Sequence, residues 1–186
     1  MSVILAIDTS TSRSSVALLS DSTVLWSDHE DGATAHAEAV PRLVQKALTI
    51  NNNISRVIVG MGPGPYTGLR AGISFAQAFA WARNIELFGV CSLDAIACTA
   101  PEYIAATDAR RKEIYWAQYK DGKRVDGPHV NLPAEVLGNL FVGEGAHKYG
   151  LCDQSTFPDV SVFHLLSPVD QPMYLRRPDA VPTSER

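Results

Sequence analysis

The sequence has few cysteines, no long apolar run and no excess of basic residues. Its three cysteines among 186 residues are widely spaced and form no Cys-x-x-Cys pair. This pattern argues against a disulfide framework and a zinc site, and it favours a reducing cytoplasm. The apolar run Val3–Ile7 is too short for a secretory signal and is followed at once by Asp8. The uncharged stretch Ala71–Ala82 falls well short of a membrane span. We therefore expect a cytoplasmic protein with no membrane partner.

The balance of charge bears on the class of partner. The formal net charge is −4, from 16 Lys and Arg against 20 Asp and Glu. A protein that grips RNA by itself usually carries a basic surface, because phosphate neutralisation supplies most of the non-specific affinity. We therefore expect any nucleic-acid role to run through a partner protein. With 46% hydrophobic and 19% charged residues, the composition is that of a globular protein with a packed core.

The first hundred residues predict one complete α/β lobe in the order βββ-α-β-α-β. Strands are predicted where apolar residues run together or alternate, at Val3–Ile7, Ser15–Leu19, Thr23–Ser27, Arg56–Gly60 and Leu87–Cys91. Helices are predicted at 40–50 and 68–83, where apolar residues recur at three-four spacing, and at 93–99. Thr67 is the expected N-terminal cap of the second helix.

The second half of the chain repeats the start of the first. A predicted strand at Tyr103–Thr107 ends in Asp108, just as the first strand ends in Asp8, and each aspartate precedes a polar loop, a further strand and a turn. Asp8 lies thirteen positions before the turn residue Asp21, and Asp108 lies thirteen before Asp121. Two units of equal span predict a duplicated lobe, although one matching distance can arise by chance.

The second copy has fewer and shorter apolar segments than the first. Only short apolar pieces follow residue 125, and four prolines predict an extended tail, at 168, 172, 178 and 182. We place the boundary near Pro101, which gives domains at 1–100 and 101–186.

Two loops have the composition of phosphate sites. A strand-end aspartate followed by hydroxyl side chains, as in Asp8, Thr9 and Ser10, is how kinase folds hold Mg²⁺ and phosphate, and Asp108 repeats the pattern. Such loops usually need a glycine where Ser10 stands. The plainer interpretation is that these side chains satisfy loop backbone. The glycine- and proline-rich loop Gly62–Gly68 matches neither a Walker loop nor a dinucleotide fingerprint, and it sets either an anion site or a rigid turn before the second helix.

The second helix and the lone His36 have competing interpretations. The helix is apolar over much of its circumference, so it is buried on more than one side, either within its own lobe or against a partner. A metallopeptidase would need a second histidine one helical turn after His36, but Val40 stands there. A local hydrogen bond is the simpler role for His36, and we expect no metal site.

Four segments resemble the TsaB (YeaZ) family in this order: Ile4–Ser10, Gly62–Gly72, Thr107–Arg110 with Glu113–Tyr115, and Tyr174–Arg176. The resemblance covers most of the chain, and the glycine-proline loop with Thr-Gly-Leu-Arg is highly specific. It implies an α/β protein with the duplicated actin-like, ribonuclease H-like ATPase fold, with a full first lobe and a reduced second lobe. The sequence departs from the pattern at Pro65-Tyr66, where Ser-Phe is more usual, and in a shortened region after Glu144.

The resemblance also implies a role without catalysis. TsaB proteins pair with the catalytic subunit TsaD, and with the ATPase TsaE, to transfer threonylcarbamoyl to the adenosine beside the tRNA anticodon; alone they form homodimers. The implied partner interface lies on the first-lobe helices, at Glu38, Arg42, Gln45, Leu69, Arg70, Ile73, Gln77 and Ala80. Asp8, Thr9, Ser10 and Asp108 would then be vestigial nucleotide loops, and weak binding of ATP or ADP with Mg²⁺ stays open. The alternative is a small ATP-dependent kinase of the same fold.

Overall fold

A computed structural model describes residues 2–32 and 34–176 of the chain. Its ten strands, in chain order, are β1 Val3–Asp8, β2 Arg13–Ser20, β3 Thr23–Asp31, β4 Ile54–Gly60, β5 Glu86–Val90, β6 Glu102–Asp108, β7 Ile114–Lys120, β8 Lys123–Asn131, β9 Phe141–Val142 and β10 Pro168–Val169. Its α-helices are α1 His36–Ile50, α2 Tyr66–Arg83 and α3 Glu144–Lys148. Three 3-10 turns span Ser92–Ala95, Pro133–Glu135 and Val160–Leu165.

The strands form two sheets. The first has the order β10-β5-β4-β1-β2-β3 and the second the order β8-β7-β6-β9. β1 lies inside the first sheet, between β4 and β2, and all of its residues are buried. Its odd-numbered residues Val3, Leu5 and Ile7 pack with α1 and α2, whereas Ile4 and Ala6 pack with the 3-10 turn Val160–Leu165.

The duplication is visible in the strand pairing. β1, β2 and β3 form an antiparallel meander, and β6, β7 and β8 form another. β1 then pairs in parallel with β4, and β6 pairs in parallel with β9. The turn residues Asp21 and Asp121 both adopt the left-handed conformation that tight hairpins require, with φ of 52° and 49°. The duplicated actin-like fold, with its full first lobe and small second lobe, is thereby confirmed.

Two local predictions were wrong. α2 begins at Tyr66 and has no side-chain cap, so Thr67 lies inside the helix and does not cap it. The helix predicted at 93–99 is only the 3-10 turn Ser92–Ala95, because Pro101 and the short apolar run leave no room for a full helix.

The chain returns to the first lobe after α3. Val160 and Phe163 cover the face of the first sheet opposite α1 and α2, and β10 pairs with β5. The division into domains at 1–100 and 101–186 stays a prediction. Residues of the segment 160–169, which belongs to the predicted second domain, pack on the first sheet. The rest of the predicted tail, 177–186, lies outside the described residues. Among the helices of residues 2–32 and 34–176, none has the length and apolar character to cross a membrane.

Candidate functional site

Asp8 ends β1 in a closed hydrogen-bond network. Its Oδ1 accepts hydrogen bonds from the backbone N–H of Ser10 at 2.9 Å and from the Ser10 hydroxyl at 2.8 Å. Its Oδ2 accepts one from the Ser92 hydroxyl at 2.6 Å. Burial raises the pKa of the Asp8 carboxyl, and the three donors oppose that rise only in part. Both oxygens are therefore already bound by the protein's own donors.

The glycine-rich loop and α2 close over this network. The Thr9 hydroxyl donates to the carbonyl of Gly68 at 2.8 Å. A Cβ at Gly64 would overlap the Ser10 carbonyl, and one at Gly72 would overlap the Thr9 hydroxyl. Glycine is needed at these two positions because the loop and α2 pack directly on Thr9 and Ser10 of the Asp8 loop. The loop is thus a rigid packing element.

Asp108 ends β6 in a similar closed network. Its carboxylate accepts from Lys148 Nζ at 2.6 Å, from the Tyr149 hydroxyl at 3.1 Å and from the Arg110 backbone N–H at 3.1 Å. Its own N–H donates to Glu144 Oε1 at 3.0 Å. Burial raises the pKa of Glu144, while the bond to Asp108 raises the pKa of Lys148. A carboxyl group of the chain therefore occupies the backbone N–H of Asp108.

The two loops do not fit Mg²⁺ and nucleotide in this arrangement. A magnesium site needs carboxylate oxygens that are open to the metal or its water shell, and a phosphate needs free backbone N–H groups. Both carboxylates, and the N–H groups of Ser10, Asp108 and Arg110, already have hydrogen-bond partners within the chain. Over residues 2–32 and 34–176, no three His, Cys, Asp or Glu side chains are grouped so that they could hold a metal ion.

His36 takes part in a hydrogen bond, as the sequence favoured, but its partner Ser14 lies 22 positions away on β2 and is not local in sequence. Its Nδ1 lies 2.8 Å from the Ser14 hydroxyl, and the ring is buried against Gly68. Burial, helped by the nearby Arg110 charge, lowers the pKa of the imidazole, so the ring is neutral at neutral pH. It is therefore a packing and hydrogen-bonding residue of the first lobe.

The residues predicted for the partner interface divide into two groups. The exposed group on α1 and α2 comprises Glu38, Arg42, Gln45, Arg70 and Gln77. Leu69, Ile73 and Ala80, by contrast, are buried in the core between α2 and the sheet. Those three side chains therefore support the helix from inside and present no surface to a partner.

Trp81 is the residue of α2 that the sequence reasoning missed. Its side chain is 87% exposed, although it is the largest apolar group on the helix. Positions 70, 74, 77 and 81 recur at three-four intervals and all are exposed in the structure, but an apolar Trp81 gave little sign in the sequence that this stripe faces outward. Together they form an outer stripe of Arg70, Ser74, Gln77 and Trp81.

Comparisons with known proteins place the chain in a family. The model of the TsaD family, described as tRNA N6-adenosine threonylcarbamoyltransferase, matches residues 29–169. TsaB of Escherichia coli is 38% identical over 63% of this chain and 54% of its own length. The structure of YeaZ from Pseudomonas aeruginosa has a TM-score of 0.74 and 26% identity, over 88% of this chain and 89% of that one. The chain belongs to the TsaB (YeaZ) family.

Other relatives match the chain more completely. An uncharacterized protein of Mycobacterium tuberculosis is 39% identical over 98% of this chain and 95% of its own length. A Pseudomonas aeruginosa structure described as similar to peptidase YeaZ has a TM-score of 0.78 and covers 95% of this chain and 100% of that one. The match to the E. coli TsaB spans about half of that protein.

The structure brings the four TsaB-like segments together. The glycine-proline loop packs on the Asp8 loop, as described above. The Tyr174 ring packs against the Tyr66 ring at the start of α2 in a tilted arrangement, with ring centroids 4.9 Å apart. Arg176 forms an ion pair with Glu113 beside the Asp108 loop. The TsaB motifs therefore form one contiguous region at the junction of the two lobes.

Proposed function

We propose that this chain is a non-catalytic subunit of the machinery that makes threonylcarbamoyladenosine on tRNA, and that it acts by holding TsaD in an active arrangement. Membership of the TsaB family supports the role in this biosynthesis. The observation that carries the non-catalytic part is the closure of both aspartate loops. Asp8 and Asp108 are bound by groups of their own chain, so neither is available to a metal-bound nucleotide.

The kinase alternative does not agree with this geometry. It needs Asp8 and Asp108 to face Mg-ATP between the lobes, yet Gly64 and Gly72 seat backbone against the first loop, and Lys148 covers the second. No observation in the described residues favours that alternative, and we derive no step through a nucleotide.

The outer faces of α1 and α2 form the surface that we assign to TsaD. Both helices pack on the same face of the first sheet and lie beside one another. The α1 side is polar and carries the ion pairs Arg42–Glu30 and Lys46–Asp28. The α2 side carries the exposed Trp81, and a large aromatic ring in a polar surround is the usual anchor of a protein interface. In the absence of TsaD, the same face would pair two copies of the chain, and TsaE and tRNA would join through the complex.

Trp81→Glu tests this assignment. It places a charge where we expect a buried aromatic anchor, and loss of a central anchor typically weakens binding by 2 kcal/mol or more, roughly 30-fold. The measurement is co-elution of the purified chain with its own TsaD, followed by threonylcarbamoyladenosine formation on tRNA with TsaE present. The matched control is Leu137→Glu, because Leu137 is 90% exposed on the second lobe.

The control should pair with TsaD like the wild type. Equal co-elution of the Trp81→Glu chain would remove the proposed interface. Full tRNA modification in a reaction that lacks this chain would instead remove the scaffold role itself. The buried Ala76 is unsuitable for such a test, because a larger side chain there would disrupt the core.

A further inference from the structure

A polar cavity lies on the face of the first sheet opposite α1 and α2. Its volume of about 340 Å³ is near the lower end of the range for small-molecule sites, roughly 300 to 1,000 Å³. Strands β2 and β3 form its floor, and the segment 155–160, which leads into the last 3-10 turn, forms its wall. The cavity therefore faces away from the helices that we assign to TsaD.

The pairing of β2 with β3 turns polar side chains into this cavity. The alternation of β2 places Val16 against the helices and Ser15 on the opposite face. β3 places His29 directly opposite Ser15, and Ser27 lies two residues earlier on the same face. The floor therefore presents two hydroxyls and an imidazole at neighbouring positions.

Two hydroxyls at the cavity lack a hydrogen-bond partner. Ser15 is only 9% exposed, and its hydroxyl bonds to no residue in the part of the chain that the structure describes. Thr156 lies on the wall, and its buried Oγ1 has no partner among the same residues. A buried hydroxyl without a partner costs stability, so native proteins usually satisfy it. Two such groups beside one cavity indicate that a bound molecule supplies the missing partners.

Arg13 holds the wall of the cavity in place. Its Cζ lies 3.9 Å from the centre of the Phe157 ring. Its Nε donates to Asp31 Oδ1 at 2.7 Å, and its Nη2 donates to Asp31 Oδ2 at 3.2 Å. Further along the wall, the backbone N–H of Asp159 donates to the carbonyl of Ala95 at 3.1 Å. The cavity is thus formed in advance of binding, which lowers the entropy that a ligand must overcome.

The charged groups around the cavity already have partners. Arg13 is paired with Asp31 through two hydrogen bonds. The Asp28 carboxylate lies 3.0 Å from Lys46 Nζ, and Asp159 accepts from a backbone N–H two residues further on. An anion would have to compete with Asp31 and a cation with Lys46. The groups left for a ligand are hydroxyls and an imidazole, which pair with the donors and acceptors of a neutral molecule.

We propose that this cavity binds a sugar ring through its neighbouring hydroxyls, either as a free monosaccharide or as the ribose of a nucleoside. Sugar hydroxyls both donate and accept hydrogen bonds, as do those of Ser15, Ser27 and Thr156. Phe157 and Pro158 add apolar surface for the C–H groups of the ring. An apolar ligand would leave the protein's hydroxyls without partners. The site is separate from the proposed function, because it lies on the other face of the sheet from α1 and α2.

Titration of the ¹⁵N-labelled chain with D-ribose, D-glucose and adenosine, followed by amide chemical shifts, tests the proposal. At least one of the three should shift the amides of Ser15, His29 and Thr156 in a saturable way. A response to ribose or glucose identifies a free sugar as the ligand, whereas a response to adenosine alone identifies a nucleoside. Tetrahydropyran, a ring of similar size without hydroxyls, should cause no such shifts.

Two substitutions remove the hydroxyls that lack partners. Ser15→Ala and Thr156→Val should each weaken binding of the sugar by about fivefold, the usual effect of losing one neutral hydrogen bond. Neither should lower the unfolding temperature, because neither hydroxyl has a partner to lose among the described residues. The matched control is Ser22→Ala, which removes an exposed hydroxyl at the turn between β2 and β3 and should bind like the wild type.

A substitution that fills the cavity gives an independent check. Ser27 is exposed on β3, where an aromatic residue suits a strand, so Ser27→Phe should fold and should abolish binding by occupying the cavity. Three results would overturn the proposal. One is the absence of a saturable shift with all three compounds at millimolar concentration. Another is unchanged binding in the Ser15, Thr156 and Ser27 variants, which would place the sugar elsewhere. The third is a lower unfolding temperature of Ser15→Ala and Thr156→Val, which would show that the two hydroxyls serve the fold.

Discussion

At the residue scale, the burial of one carboxyl decides its role. Asp8 ends β1, where the sequence allowed a metal ligand, but it is buried and its oxygens accept three hydrogen bonds from Ser10 and Ser92. Burial favours its neutral form and raises its pKa. A carboxyl whose folded pKa is raised binds protons more readily in the folded state, so it costs stability as the pH rises above its unfolded value near 3.8.

We expect Asp8→Asn to gain stability relative to the wild type as the pH rises from about 4 to 7. The amide keeps the acceptor for Ser10 and can donate to the Ser92 hydroxyl, while it removes the buried charge. The measurement is the free energy of unfolding in urea across this range. The control is Asp28→Asn, because Lys46 lowers the pKa of Asp28 and its stabilising effect is lost as the pH falls. A constant difference between Asp8→Asn and the wild type at every pH would contradict the expectation.

At the scale of elements, features that depend on neighbouring residues could be predicted from the sequence. Features that depend on contacts between residues distant in sequence could not. Strands β1 to β6, the two hairpin turns and the duplication follow from local patterns, such as the repeated aspartate spacing, and the structure has them in the predicted places; β9 and β10 were not predicted. The side of α2 that faces the core does not follow from the sequence, because small and apolar residues occur all around the helix. Leu69, Ile73 and Ala80 therefore gave no sign that they point inward, and Trp81 gave little sign that it points outward.

The hydrogen bonds that occupy the Asp8 and Asp108 carboxylates could not be predicted from the local sequence either. The sequence showed Asp8 and Asp108 as strand-end carboxylates in hydroxyl-rich or basic loops. Their partners Ser92 and Lys148 lie 84 and 40 positions away in the chain. Only the fold brings these donors to the carboxylates, so the sequence alone left the vestigial and the active interpretations open.

The 3-10 turn Val160–Leu165 gives an element-scale prediction. Phe163 is fully buried against the first sheet, on the face that α1 and α2 leave open. Phe163→Ala should cost about 3–5 kcal/mol of unfolding free energy, because it removes a large ring and leaves a cavity. Leu165→Ala on the same turn should change little, since Leu165 is 70% exposed. Equal effects in a urea titration would show that this turn does not complete the core.

At the scale of the whole molecule, the two lobes are joined by an apolar layer and a polar lock. Cys91, Leu93 and Ile96 of the first lobe pack against β6 and β7, including Tyr119. The Tyr119 hydroxyl donates to Asp94 Oδ1 at 2.7 Å, and Arg124 Nε lies 3.1 Å from the same oxygen. Burial raises the pKa of Tyr119, so its hydroxyl stays a donor to Asp94 at any physiological pH.

Arg124→Met should loosen this junction. It leaves the largely buried carboxylate of Asp94 with the Tyr119 hydroxyl alone, and an uncompensated buried charge typically costs about 1–3 kcal/mol. The measurement is urea unfolding followed by two probes, one in each lobe. The control Lys123→Met changes an exposed neighbour and should stay within about 0.5 kcal/mol of the wild type.

The two probes also show how the lobes depend on each other. If the polar lock couples them, the Arg124→Met transitions should separate and the urea slope of each should fall, because each lobe then exposes its surface alone. If the transitions stay coincident and the stability matches that of Lys123→Met, the apolar layer around Leu93 and Tyr119 holds the lobes by itself. The contacts among Tyr119, Asp94 and Arg124 would then position the two lobes without stabilising the junction.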